Sequence, residues 1–226
     1  MLSEGHINFA LLFLNFKFLL SMIGPKEKKE RALGVRLHLK GERCQSPKCA
    51  AVRKPYRPGM HGQSRRRRSA SEFGLQLKEK QKFKLSYGLN ERNLKQIFLK
   101  AEKAKGSAAE KIIELLERRL DNVVFRLGFA SSRGEARQLV SHGFILVNKK
   151  KVSSPGFCVK TGDVISLKPE SKNKAKFAKL ADSLKKYEPP SWLGLDKEKL
   201  EGRVLSPPEG LASPFEVNLL VESFSK

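Results

Sequence analysis

Acidic residues are half as frequent as basic ones in this 226-residue chain, 23 Asp+Glu against 46 Lys+Arg, which leaves a formal net charge of +23. A deficit of that size opposes compaction through self-repulsion, so it points to a polyanionic partner: nucleic acid first, an anionic membrane surface second. Cysteine is sparse as well. Cys44, Cys49 and Cys158 are an odd number that builds no disulfide framework and suits a reducing, cytosolic setting. Cys44 and Cys49 are spaced C-x4-C, close to half a metal site, but no second Cys or His pair stands in register with them. His38 and His61 lie nearby without the spacing that four zinc ligands require, so two idle or buried thiols are expected, with no metal and no cofactor. The sequence has no P-loop, dinucleotide fingerprint, GxSxG or HExxH, which argues against an enzyme. No internal repeat is found either.

What charge there is sits unevenly. Residues 26–105 carry 24 basic and 7 acidic side chains, residues 106–170 carry 11 and 7, and residues 171–226 carry 10 and 8. Most of the affinity for a polyanion is therefore expected from the first half. The run Ile7 to Ile23, INFALLFLNFKFLLSMI, is the exception to this polar chain. It lacks a basic segment before it, Lys17 interrupts it, no small-residue cleavage pattern follows, and it is marginal in length for spanning a bilayer. We expect Met22 to be the genuine start, with residues 1–21 an apolar leader produced by an early start and no membrane role.

Along the rest of the chain, RKPYRPGMHGQSRRRRSASEFG is too rich in Pro, Gly, Ser and Arg to bury a core and reads as a loop or arm ordered on binding. From Leu75 to Lys105 apolar residues at helical spacing predict two helices broken near Gly88. Ser107 with Glu110 reads as a capping box, opening one helix whose apolar face runs from Ile112 to Leu127 and stops at Gly128. Ser132 with Glu135 predicts a second capped helix, ended by Gly143. The period then changes from helical to two-fold. Phe144 to Val147 reads as a strand, Asn148-Lys149-Lys150 as a tight turn, Lys151-Val152 as the return, and Val164 to Leu167 as a further strand after the turn at Gly162-Asp163. This order predicts a small α+β module. A basic amphipathic helix is expected from Ser171 to Glu188, then an apolar cluster at Trp192, Leu193 and Leu195. The alternation Val217, Leu219, Val221 suggests a final strand or extended tail.

Arg65, Arg66, Arg67 and Arg68 give the strongest local signal for phosphate contact, since each guanidinium can donate two parallel hydrogen bonds to phosphate oxygens. The bland reading is a solvated charge run or a sorting signal. Arg133 and Arg137 share a helix face near a helix N-terminus, where free amides favour phosphate, and Lys149, Lys150 and Lys151 mark a hairpin tip that would join them in one basic surface. Against this stands the alternative that the two arginines pair with local acids. His142 reads as a helix-end residue or an RNA contact.

The stretch LERRLDNVVFRLGFASSRGEARQLVSHGFILVNKKKVSSPGFCVKTGDVISL closely resembles the RNA-binding module named after ribosomal protein S-four. Pseudouridine synthases and some tRNA synthetases also carry that module, but those enzymes need a catalytic domain for which no segment here has the length or pattern. LHLKGERCQSPKCA, RKPYRPGMHGQSRRRRSASEFGLQLKEKQKFKLSYG and WLGLDKEKLEGRV resemble the small-subunit ribosomal protein family itself, from about Gly24 to Lys226. The resemblance implies an α+β fold in which a mainly helical domain (residues 22–106 with 189–226) receives the module (residues 107–188) as an insertion. It also implies binding to the 5′ domain of 16S rRNA, an early place in subunit assembly, and an influence on decoding accuracy through contact with small-subunit ribosomal protein five. The location implied is the ribosome of the cytoplasm. The rRNA contacts expected on this basis are Lys40, Arg43, Arg53, Arg57, His61, Arg65 to Arg68, Lys78, Lys82, Lys84, Arg133, Arg137, His142, Asn148, Lys149 and Lys150. Zinc-bearing relatives place a C-x2-C pair after Gly-Pro-Lys; here Gly24-Pro25-Lys26 is followed by Glu27 and Glu30 in those places, so no zinc is expected. The relatives also begin a few residues before Gly-Pro-Lys, in keeping with a start at Met22.

Overall fold

The structure is a computed structural model that describes residues 25–64, 71–172, 177, 180–185, 187–208 and 215–225. The leader reading and Arg65, Arg66, Arg67 and Arg68 lie outside the described residues. Helix α1 (Lys26–Leu33) follows Pro25 and stops where Gly34 takes a left-handed φ of 73°. Two single turns, α2 (Glu42–Gln45) and α3 (Ala50–Arg53), carry the next loop. Two capped helices follow. The Ser71 side chain accepts from the Gly74 amide to open α4 (Glu72–Ser86), and Asn90 accepts from the Asn93 amide to open α5 (Glu91–Glu102), with the break between them at Gly88 as the pattern predicts.

The single long helix expected from Ser107 to Leu127 is in fact two, α6 (Ala108–Glu117) and α7 (Leu120–Arg126), and the Ser107 side chain makes no capping bond. The break has a tertiary cause. Arg119 is extended and bridges Cys158, the Leu120 amide donates to the Phe157 carbonyl at 2.8 Å, and the Val159 amide donates to the Arg118 carbonyl at 2.9 Å. A distant loop therefore supplies the backbone partners that a continuous helix would have kept for itself. Helix α8 (Arg133–Ser141) starts as expected: Ser132 accepts from the Glu135 amide, while the Glu135 carboxylate turns back to the amide and hydroxyl of Ser131. Gly143, at φ 72°, ends it.

Strands β1 (Ile145–Val147) and β2 (Lys150–Lys151) form a hairpin in which Asn148 and Lys149 hold φ of 50° and 64°, the left-handed pair of a tight two-residue turn. β3 (Val164–Leu167) leads to the short helices α9 (Pro169–Lys172) and α10 (Leu180–Lys185), the described parts of the helix expected up to Glu188. β4 (Leu193–Asp196) and β5 (Glu201–Val204) then complete an antiparallel sheet of order β2-β1-β3-β5-β4. The expected return to the helical domain at residue 189 therefore comes later. Trp192, Leu193 and Val204 are buried in the module's core with Leu127, Ile145, Ile165 and Leu167, because β5 pairs with the edge of β3 that β1 leaves open and carries its apolar residues into the same core.

The tail is a helix, α11 (Val217–Ser225), not a strand. Val217, Leu220, Val221 and Phe224 also satisfy helical spacing, and the apolar face they make packs on Phe83, Leu94, Phe98, Ile112 and Leu116, the second core. Phe224 stacks on Phe98 at 5.1 Å and Phe215 meets Phe83 edge-on at 5.2 Å. The fold is α+β: a helical unit closed by the C-terminal helix, with the sheet-bearing module between. Among the described residues no helix is long and apolar enough to cross a membrane.

The seam between β5 and α7 leaves no room for a side chain at Gly202. A Cβ built there would stand 2.3 Å from Leu127 Cδ1, and Leu127 is fully buried. Gly202→Ala is expected to destabilise the module by about 1–3 kcal/mol, the usual range for overpacking. An unchanged melting temperature would show that this seam relaxes freely.

Candidate nucleic-acid interface

The basic N-terminal loop is held in shape by two buried carboxylates on α1. Glu30 Oε1 accepts from the amides of Leu37 and Leu39, each at 3.1 Å. One turn earlier, Glu27 takes Arg43 Nε at 2.9 Å, Lys40 Nζ at 3.1 Å and the Ala50 amide at 3.2 Å. Burial alone would raise the Glu27 carboxyl, but the hydrogen bonds from Arg43 and Lys40 outweigh it and hold the group below its ordinary value. Cys44 and Cys49 are buried beside this clasp, and burial pushes the Cys44 thiol up. The Cys44 sulfur accepts from the Lys40 amide at 3.3 Å. These residues do not fit zinc: the carboxylates already hold protein N–H groups and two cations occupy the space around them, whereas a structural zinc needs four free donors in a tetrahedron.

Lys40 and Arg43 are thus exposed but paired, while Arg53, Arg57 and His61 are exposed and carry no ion pair among the described residues. Arg31, which sequence reasoning did not single out, shapes their loop. Its Nε donates to the carbonyls of Lys54 and Tyr56, and its guanidinium lies 5.0 Å from the centre of the Tyr56 ring. On α4, Lys82 pairs with Glu79 and Lys84 with Glu91, leaving Lys78 as the α4 lysine of the expected set without an acidic partner among the described residues.

Arg133 and Arg137 require a correction. They were expected to form one phosphate-binding surface with the hairpin tip, but they turn into the seam between the two units. Glu117, only 2% exposed, accepts from Tyr87 Oη at 2.8 Å, Asn122 Nδ2 at 2.8 Å and Arg126 Nε at 3.0 Å, and Arg133 Nη2 stands at 3.8 Å. Arg133 Nε donates to Asn122 Oδ1 at 2.7 Å, and its guanidinium lies over the rings of Tyr87 and Phe125. Arg137 donates to the Gly88 carbonyl at 3.2 Å and stands 3.6 Å from Asp121. Burial alone would raise the Glu117 carboxyl; Arg126, Asn122 and Arg133 outweigh it and hold it below the ordinary carboxylate value. Burial, reinforced by the Glu117 charge, pushes the Tyr87 phenol far up. The pairing with acids wins because the acids are buried and would otherwise be uncompensated.

At the hairpin, Lys149 and Lys150 are exposed and have no acidic partner among the described residues. Asn148, expected to touch RNA, is occupied within the protein: its Nδ2 donates to Asp163 and its Oδ1 accepts from the Val164 amide. His142 lies exposed at the end of α8, its ring stacked 6.1 Å from that of Phe144. Among the described residues the structure thus presents two sets of free cations, one on the clasped N-terminal loop and one at the hairpin tip, with the arginine seam between the units.

Residues 21–117 match the family described as the ribosomal protein S4/S9 N-terminal domain, and residues 118–165 match the S4 domain. Among curated proteins, the chain is 49% identical over 206 residues to a small ribosomal subunit protein uS4 of Caldicellulosiruptor saccharolyticus, covering 90% of this chain and 98% of that protein. It is 47% identical over 205 residues to the protein of the same name from Halothermothrix orenii, with the same coverage. To that of Magnetococcus marinus it is 46% identical over 206 residues.

Proposed function

Since this chain belongs to the uS4 family of small ribosomal subunit proteins, a structural and non-enzymatic constituent of the ribosome, we propose that it binds the 5′ domain of 16S rRNA and acts early in subunit assembly. The observation that carries this reading is the pre-shaped cationic loop of residues 36–61. Glu27, Glu30 and Arg31 fix its backbone from inside, so Arg53, Arg57 and His61 are offered to a partner in one arrangement. A preformed array of cations recognises folded RNA by the spacing of its phosphates, with base readout secondary. Lys149 and Lys150 give a second point of attachment, and contact at two points selects a junction over a plain helix. Contact with small-subunit ribosomal protein five, and through it an influence on decoding accuracy, belongs to the same proposal.

Filter binding of the chain from Met22 onward to the 5′ domain of 16S rRNA, with tRNA and duplex DNA as competitors, tests it. Retention of the rRNA fragment in the presence of competitor is the expected outcome. Equal binding to all three nucleic acids would reduce the chain to an unselective polycation and end the claim of junction recognition.

A further inference from the structure

On the open face of the sheet a hollow of about 380 Å³ is lined by Asn148, Lys149, Val164, Ser166 and Glu201. Its residues come from the turn and two neighbouring strands. Ser166 and Glu201 are direct cross-strand partners in the pairing of β3 with β5, so their side chains rise side by side on the face away from the core. The state of their polar atoms sets the place apart. Asn148 is engaged with Asp163 and the Val164 amide and serves as a brace, which fixes the turn that carries Lys149. Among the described residues the Glu201 carboxylate, the Ser166 hydroxyl and the Lys149 ammonium take part in no hydrogen bond or ion pair. Six helical acids of the described residues, Glu27, Glu79, Glu91, Glu114, Glu117 and Asp121, are by contrast each paired with a cation.

We propose that this hollow receives one unpaired guanine of the bound RNA. The inference rests on the rRNA-binding reading above and adds a base-specific contact to it. A carboxylate offers two acceptor oxygens side by side and no donor. Guanine presents two adjacent donors, the N1–H and the exocyclic amino group, on its Watson–Crick edge, and unpaired bases are read on that edge. Adenine and uracil each place an acceptor there, which would face the carboxylate unfavourably. Ser166 supplies a hydroxyl that can donate to the guanine carbonyl or accept from its amino group. Val164 gives the ring an apolar floor, and Lys149 at the rim meets the phosphate of the same nucleotide.

Probing the 5′ domain of 16S rRNA with kethoxal, which reacts with N1 and the amino group of unpaired guanine, tests this with the full chain. Native protein is expected to protect at least one guanine whose protection is lost with Glu201→Gln, while the rest of the footprint stays. Glu201→Gln should weaken binding by about tenfold, the scale of one lost two-point base contact. The glutamine retains shape and polarity, so the fold is not at stake, and thermal unfolding of the variant confirms that. An intact footprint in which every guanine protection survives Glu201→Gln overturns this inference and leaves the rRNA reading standing. Absence of any footprint with the native protein overturns both.

Discussion

Replacing Glu117 by alanine is expected to lower the unfolding free energy by about 3 kcal/mol, the lower end of the range for removing one partner from a buried ion pair. The carboxylate is buried and accepts from groups in both units: Tyr87 follows α4 in the helical unit, while Asn122 and Arg126 lie on α7 in the module. Without it, Arg126 and Arg133 face each other across a space that burial has already stripped of water. Their partial exposure lets them turn toward solvent, which is why the lower end applies. Glu117→Gln, which keeps one acceptor oxygen but removes the charge, should cost about 1–2 kcal/mol.

The pH dependence has a definite sign. The folded-state pKa of Glu117 is depressed below 4.5, so its contribution is complete above that value and is lost as pH falls through the depressed one. Urea denaturation should therefore separate native and Glu117→Ala proteins at neutral pH, and the gap should close as the solution is acidified below the ordinary carboxylate range. A variant as stable as the native chain at neutral pH would show that the two units are held together by their cores alone.

The second large effect concerns the arginine run. Changing Arg65, Arg66, Arg67 and Arg68 together to alanine is expected to reduce the slope of log affinity against log salt by about 3, since each phosphate contact contributes roughly 0.7–0.9 to it. At moderate salt the affinity for the 5′ domain should fall about a hundredfold or more. A slope equal to that of the native protein would mean that none of the four touches a phosphate. Because the run lies in a Pro-, Gly- and Ser-rich stretch with no core residues of its own, folding should be unaffected, and thermal unfolding of the variant separates the two possibilities.

Individual residues show where sequence reasoning stops. The capping at Ser132, the ends at Gly88 and Gly143 and a turn beginning at Asn148-Lys149 were legible because each depends on neighbours within a few positions, although Lys150, read as part of that turn, already opens β2. The split between α6 and α7 was not, because the carbonyl that receives the Leu120 amide belongs to Phe157. The alternation at Val217, Leu219 and Val221 fitted a strand as well as a helix, and the waiting surface of Phe83, Phe98 and Leu116 decided between them. The candidate interface divides in the same way. Its charge, its module and its loop segments were visible in the residues; the inward turn of Arg133 and Arg137 was not.

Composition and local pattern by themselves pointed to a polyanion and to an α+β module, and the resemblance of the long motifs identified the ribosomal family, since all three depend on which residues are present and on their near neighbours. Only the tertiary structure could decide which cations remain free for that polyanion. A guanidinium is equally attractive to a phosphate and to a buried carboxylate, and the choice belongs to whichever acid the fold brings within reach. Glu117 and Asp121 hold Arg133 and Arg137, while no acid of the described residues reaches Arg53 or Arg57.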